Sequence, residues 1–543
     1  MVRSAGVCVA LAACVLSAAA SHAQNGSDAA LVQFRVARAR GVRPPSERIV
    51  TSFVRGGLSG TEIEVRSGSD YRVDTNTGPF ASAHGSAGSL AWQQNENGET
   101  VLTAYDSEHD GEERFDEATE TTIAHETVPS DLYVIGRLTA TGYGTRDYVD
   151  PATWRVVRHE AVTPTGTRTV TFDDFRTTAG YVRPWHWSVS DGHPENDANY
   201  RIATIEATPV ASALLAVPPN RRVLVEFPAG ATSVSLPAQL DRYHRRFVVR
   251  VTIGRRGLDF MLDTGASHIS IDRDVAQDLR LTEYSVYSNA RNAARYVGTR
   301  TIVPAMNVGP LTLHDAVVDT IPHVGGDTGP YRIVGLLGFD FLEDVGLKLD
   351  YQNGSATAYE PSAFVAPTAP GTIDLDVRLG SHQPETEIAI NGAIGSRFVL
   401  DSGGAGALLI DDSFRRLHPG AMVSADKASA PTQTLLGLGG AFETKLYKIA
   451  AMTVGSETFN DFYANVVTTS TAYTGYQDGL IGPDFLQLFT VFTDFPQRKV
   501  FLVPNEPGGK AIIPTPQDRT PEPVALPVPT DDLLGSFVPR PTH

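Results

Sequence analysis

Two short segments of this chain carry residue types that could do acid–base chemistry together: Asp263-Thr264-Gly265 and Asp401-Ser402-Gly403. Each closes an apolar run, Phe260-Met261-Leu262 in the first case and Phe398-Val399-Leu400 in the second. Two carboxylates held close together cannot both ionise freely, so they share one proton. The charged member can then act as a base on a water molecule, while the neutral member acts as an acid on the group that the water attacks. Such chemistry needs neither a metal nor a covalent intermediate, and no cofactor is expected. Gly265 and Gly403 are read as tight-turn residues, because glycine accepts dihedral angles that other residues resist. Thr264 and Ser402 supply hydroxyls next to both carboxylates.

Outward from these triplets, the surrounding landmarks repeat in the same order, which is the signature of an internal duplication. Leu336-Leu337-Gly338-Phe339-Asp340-Phe341-Leu342 is answered by Leu480-Ile481-Gly482-Pro483-Asp484-Phe485-Leu486. Asp263 to Asp340 is 77 residues and Asp401 to Asp484 is 83, while Asp340 to Asp350 and Asp484 to Asp494 are both 10. Met306-Asn307-Val308-Gly309 likewise pairs with Met452-Thr453-Val454-Gly455. A third triplet, Asp327-Thr328-Gly329, lacks the preceding apolar strand and reads as a turn. Asp340 and Asp484 stand where short helices begin, a place that favours acidic residues through the helix dipole, and they are not assigned to catalysis. Short helices are also expected at 272–281 and 411–417, with Asp272 and Asp411 as N-caps.

These features resemble the retropepsin-like aspartic peptidases, with both halves on one chain as in pepsin, over residues from about 230 to 505. The resemblance implies an all-β fold with short helices: a bilobal double-ψ β-barrel unit in which each lobe gives one Asp. It makes Asp263 and Asp401 the catalytic pair, with Thr264 and Ser402 cross-linking the two loops beneath it. It implies a peptide or protein substrate and endopeptidase activity. Flaps in that family are Gly-rich hairpins between the two elements, so Gly437, Gly439 and Gly440 are flap candidates in the second lobe and Gly298 in the first. Gly298 lies 35 residues after Asp263 and Gly437 lies 36 after Asp401.

The two loops then diverge. The first continues Ala266-Ser267 and the second Gly404-Ala405-Gly406, without a hydroxyl matching Ser267. Ser267 is expected to donate to Asp263 and favour its charged form, leaving Asp401 with the shared proton more of the time. The same departure keeps a second reading open: a non-catalytic peptide- or lipoprotein-binding protein on a degenerate peptidase scaffold.

At 543 residues the chain is long enough for two or three domains. Met1-Val2-Arg3-Ser4, the apolar run to Ala20 and Ser21-His22-Ala23 fit a signal peptide over 1–23 and a periplasmic or secreted product. Removing it takes one Arg and no acid, so 45 − 1 = 44 basic residues face 62 acidic ones, a balance of −18 that argues against a nucleic-acid partner. Both cysteines, Cys8 and Cys14, lie in this leader, which excludes disulfides, thiol catalysis and thiolate zinc sites from the mature chain. Leu11-Ala12-Ala13-Cys14 also looks like a lipoprotein cleavage box, leaving a lipid anchor through Cys14 as the alternative. No other stretch is apolar enough to span a bilayer.

Residues 24–207 hold all four tryptophans and read as a separate β-rich domain, with strands at 61–66, 88–93, 132–139 and 168–172 and a hairpin turn near Gly166. The segments around Tyr148-Val149-Asp150, Trp154-Arg155-Val156-Val157 and Phe172-Asp173-Asp174-Phe175 faintly resemble periplasmic lipoprotein-carrier domains, which have an open β-barrel. His125, His159 and His186 lack metal-ligand spacing, and the acidic run 108–120 lacks the register of a calcium loop. Linkers are expected at 208–229 and 361–370, dividing the peptidase unit into lobes 230–365 and 366–505, and a proline-rich tail at 506–543. A monomer is expected.

Overall fold

The computed structural model describes residues 29–38, 43–103, 120–126, 131–138, 143–163, 166–291, 294–324, 326–328, 331–380, 382–422, 432–437, 440–468 and 477–506. The leader with Cys8 and Cys14, residues 108–119 of the acidic run, Gly439 and the tail beyond Glu506 lie outside the described residues.

Short, β-branched, turn-punctuated segments make this a mainly β chain with a few short helices. The N-terminal region builds one thirteen-stranded sheet. The chain starts at its centre with Ser46–Arg55, runs outward strand by strand to Thr100–Thr103, resumes at the opposite edge with Glu120–Glu126 and returns to Ala198–Glu206. That last strand closes antiparallel on the first, pairing Phe53 with Tyr200 and Ile49 with Ile205. The period-two alternation is visible in Ser46–Arg55 and Asp70–Thr77, where every second residue turns inward. Helical residues 29–38 set Phe34 against Ile135 and Val149, beside the stacked rings of Tyr133 and Trp154. His159 and His186 pair with Asp147 and Asp173, each at 2.7 Å.

The sequence repeat reappears as two matched sheets. In the first lobe Arg256–Leu262 runs parallel to Tyr331–Leu337, Ser270–Asp272 runs parallel to Leu311–Ile321, and Arg246–Ile253 pairs with Ala294–Val308. In the second, Ala393–Leu400 runs parallel to Gly479–Ile481, Leu408–Ile410 runs parallel to Glu457–Val467, and Glu385–Ile390 pairs with Gly440–Val454. The expected N-caps are present: Asp272 accepts from Asp274 N–H ahead of helix Arg273–Asp278, and Asp411 from Ser413 N–H ahead of Asp412–Leu417. Asp327 and Thr328 lie in a short strand antiparallel to Tyr331–Leu337.

A six-stranded sheet joins the lobes. Its central pair is Gly346–Asp350 and Phe489–Asp494, flanked by Ser355–Tyr359 and Lys499–Pro504 and edged by Ser233–Ser235 and Ile373–Asp376. One apolar core runs through both lobes, from Phe247 and Phe260 to Phe398 and Phe485. The segments expected as linkers are partly ordered against this body. Val225–Glu226 adds a short strand to Leu311–Ile321, and Phe364 packs its ring near Tyr359, Phe492 and Phe501.

Candidate active site

Each Asp triplet is placed by the same device. A strand ends, its neighbour is a parallel strand that returns from later in the chain, and the Asp backbone hydrogen-bonds to that neighbour. Asp263 N–H donates to Leu337 O at 3.1 Å, and Asp401 N–H donates to Ile481 O at 2.9 Å. The apolar-apolar-Gly segments fit behind the loops because glycine lets backbones touch. A Cβ on Gly338 would lie 2.5 Å from Ala266 O and His268 O, and one on Gly482 would collide with Gly406 O.

The two triplets meet. Thr264 Oγ1 donates to Leu400 O at 2.6 Å and accepts from Ser402 N–H at 2.9 Å. Ser402 Oγ donates to Leu262 O at 2.9 Å and accepts from Thr264 N–H at 3.1 Å. Both hydroxyls are buried, so this reciprocal network ties the lobes at the floor of the site. Within each loop, Gly265 N–H donates to Asp263 Oδ1 and Gly403 N–H to Asp401 Oδ1, both at 2.9 Å.

The reason for glycine after the hydroxyl residue differs from the expected one. Neither Gly265 nor Gly403 has a positive φ. What forbids a side chain is the opposite carboxyl group: a Cβ on Gly403 would collide with Asp263 Cγ and lie 2.5 Å from both of its carboxyl oxygens, and one on Gly265 would lie 2.5 Å from Asp401 Cγ. Each carboxyl group therefore rests on the other loop's glycine, and the two face each other. Gly404 is confined by its own loop's carboxyl instead, since a Cβ there would come within 2.8 Å of Asp401 Oδ2.

Asp263 is 7% exposed. The Asp401 carboxyl is pushed up to about 8 by burial, then by the Asp263 charge and a hydrogen bond to Asp263, against the opposing pull of Arg246 and Gly403 N–H. The pair thus keeps one proton over much of the acidic and neutral range, Asp401 being the member whose carboxyl is raised. Arg246 holds the second loop directly, donating to Gly404 O at 2.9 and 3.1 Å. Gln383 crosses from the second lobe to Gly265 O and is itself braced by Gln477 at 2.8 Å. The buried Tyr351 ring lies 4.9 Å from Phe247, and burial and then the Asp401 charge raise its hydroxyl's pKa. Ser267 is half-buried in the first loop.

Asp340 and Asp484 are more than first-turn acids. Neither helix, Phe339–Leu342 or Pro483–Leu486, has a side-chain cap, and both carboxylates are buried. Asp340 accepts from Ile269 N–H at 2.7 Å, fastening the first triplet's loop, and Asp484 is paired with Arg245. Of the flap candidates, Gly437 and Gly440 form the last described pair of the hairpin Thr432–Gly437/Gly440–Val454. Gly298 lies along the arm of the hairpin Tyr284–Arg291/Ala294–Val308, opposite Tyr287, whose last pair is Arg291–Ala294. It is glycine because a Cβ there would lie 2.7 Å from the Tyr287 ring. Among the described residues, no three His, Cys, Asp or Glu side chains group as metal ligands, and no helix is long and apolar enough to cross a membrane.

Residues 249–341 match the aspartyl protease family. The match covers most of the first lobe, including Asp263 and Asp340. No curated protein matches this sequence. Among solved structures, the chain is similar to a LolA superfamily protein from Nitrosomonas europaea, at 10% identity and a TM-score of 0.28 over 34% of this chain and 97% of that one. It is also similar to a DUF1329 family protein from Desulfovibrio piger, at 14% identity and a TM-score of 0.26 over 33% of this chain and 92% of that one.

Arg246, Gln383 and Tyr351 escape motif reading. Only Tyr351 carries a signal, since it belongs to a segment that repeats at Asp494. The others act through partners far away in the chain.

Proposed function

We propose that this chain is an exported aspartic endopeptidase whose catalytic pair is Asp263 and Asp401. The observation that carries this reading is the facing of the two carboxyl groups across Gly265 and Gly403, with a shared proton held on Asp401. In this mechanism a water between them gives a proton to Asp263 as its oxygen bonds to the peptide carbonyl carbon, while Asp401 protonates the carbonyl oxygen. Collapse of the tetrahedral intermediate breaks the C–N bond as a proton passes from the pair to the leaving amine. The reciprocal Thr264–Ser402 network supports the reading, because it holds two acids from separate lobes in register without itself contacting solvent. The hairpins Tyr284–Arg291/Ala294–Val308 and Thr432–Gly437/Gly440–Val454 are the flaps in this proposal.

The test is cleavage of a mixed peptide library by the wild-type chain and by Asp263→Asn and Asp401→Asn. Cleavage that either substitution abolishes is the expected result. Cleavage surviving both would place the chemistry elsewhere, and a folded wild type that cleaves nothing from acidic to neutral pH would return the chain to the class of binding proteins.

A further inference from the structure

A tight turn of the N-terminal domain, Asn95-Glu96-Asn97-Gly98-Glu99, between the strands Leu90–Gln94 and Thr100–Thr103, reaches into the peptidase unit. Three successive residues of this turn each hold a different part of the first lobe. Asn95 Nδ2 donates to the buried Asp340 Oδ1 at 3.0 Å. Glu96 forms an ion pair with Arg300, whose Nε also reaches Asp319 at 3.3 Å. Asn97 clasps the backbone of Val317, donating from Nδ2 to its oxygen and accepting on Oδ1 from its N–H, both at 2.9 Å.

These contacts converge on Ile269, which ends the loop carrying Asp263. Ile269 N–H donates to Asp340 Oδ2 at 2.7 Å, and Ile269 O accepts from Asp319 N–H at 3.0 Å. One polar group of that residue's backbone is therefore held by a residue that the turn holds directly, Asp340, and the other by Asp319, which the turn reaches through Arg300. The loop is closed further by Phe339 N–H donating to Ala266 O at 2.9 Å. The second lobe is fastened differently at the matching position, since Asp484 is met by Arg245 of the first lobe.

We propose that Asn95 is a positioning residue for the Asp263 loop, acting through Asp340, so that the N-terminal domain is a working part of the catalytic unit. The consequence for the reaction rests on Asp263 and Asp401 being the reacting pair; the mechanical coupling does not. The turn itself is built to aim this side chain. Asn95 Oδ1 accepts from Gly98 N–H at 2.8 Å and Glu99 N–H at 3.0 Å, which leaves Nδ2 pointing at Asp340. Arg221 and Arg222 then brace the turn from the chain entering the first lobe, donating to Asn95 O, Glu96 O and Asn97 O.

That geometry offers an isosteric test in the full-length protein. Asn95→Asp keeps the acceptor for Gly98 and Glu99 but replaces the donor with a carboxylate facing Asp340. Asn95→Asp/Asp340→Asn exchanges donor and acceptor, keeps one carboxylate in the cavity that His268 also lines, and leaves an amide at position 340 that can still accept from Ile269 N–H. Asn196→Ala serves as the control, because Asn196 ties the same two domains at Ser288 without touching Asp340. Expected for Asn95→Asp are faster hydrogen exchange over 263–271 and a fall in kcat on the order of ten-fold with KM little changed. The exchanged pair should recover most of both, and Asn196→Ala should leave exchange at 263–271 unchanged. Unaltered exchange over 263–271 in Asn95→Asp would overturn the proposal, and so would equal losses in the single and exchanged variants. Faster exchange with unchanged kcat in an active wild type would overturn the role in the reaction. A wild type that cleaves nothing would be a failure of the peptidase reading, and the exchange comparison would then decide the coupling by itself.

Discussion

At the scale of single residues, Asp401 carries the clearest conflict between the proposed function and stability. Its folded pKa is raised from an ordinary carboxyl value to about 8, first by burial and then by Asp263. Between those two values the folded chain keeps a proton that the unfolded chain releases, so folding loses stability as pH rises through that window. Asp401→Asn removes the titration while keeping an oxygen that can accept from Gly403 N–H. The variant should be inactive yet more stable than wild type near pH 7, by on the order of 2 kcal/mol. That advantage should vanish near pH 4. Thermal unfolding of both proteins at the two pH values checks it, and equal midpoints at pH 7 would mean that Asp401 does not hold the proton. The meeting of the carboxyls and hydroxyls at the candidate site was legible in the sequence because chemistry and repetition both mark them. The glycines were found for the wrong reason, since close approach of a side chain from another lobe leaves no local trace.

At the scale of elements, the site is a property of two loops fastened to each other, and Thr264 and Ser402 are the fasteners. Thr264→Val keeps the shape but removes the donor to Leu400 O and the acceptor for Ser402 N–H, stranding two buried backbone groups. The expected cost is about 2–4 kcal/mol, measured by urea unfolding. Removing an exposed threonine of the sheet, such as Thr177, should cost far less. Strands and the Asp272 and Asp411 caps were legible, because alternation and capping are local signals. The position of Gly298 was not: its offset from Asp263 is within one residue of that of Gly437 from Asp401, but the two hairpins have different arms, so near-equal spacing lands in different places. Nor could Asn95 be found, since it meets Asp340 across 245 residues of chain.

At the scale of the whole molecule, several buried acids share one environment where the N-terminal domain meets the first lobe. Glu343 is pushed up to about 8 by burial and then by the Asp344 charge. Asp344 and Glu99 are also raised, burial being the first cause in both. His268 is raised to about 9 despite burial by the charge of Asp340 and its hydrogen bond. The signs agree. Protons kept by the folded acids make stability fall as pH climbs from about 4.5 toward 8, and the His268 contribution is lost as pH passes from about 6.5 to 9. The full chain should therefore melt at its highest temperature in mild acid and progressively lower toward pH 9. Glu343→Gln should flatten the decline between pH 5 and 8, and an unchanged slope would remove Glu343 from this account. Duplication and the two-lobed plan were legible from the repeated landmarks. The docking of a third domain against the lobes, through the turn on the first and through Gln93 on Gly380 O of the second, was not, because nothing in the turn at 95–99 distinguishes it from an ordinary solvated turn.

The sheet shared by the lobes has one further consequence. Its two central strands, Gly346–Asp350 and Phe489–Asp494, come from opposite halves of the repeat and pair antiparallel, Gly346 with Asp494 and Asp350 with Thr490. Each half therefore ends in an open edge whose natural mate is the other half. Covalent fusion here replaces what would otherwise be an association equilibrium, and it lets the two halves drift apart in sequence without ceasing to recognise each other. The asymmetry between Ser267 and Ala405, or between the partners of Asp340 and Asp484, is a freedom that a symmetric pair of identical chains could not have.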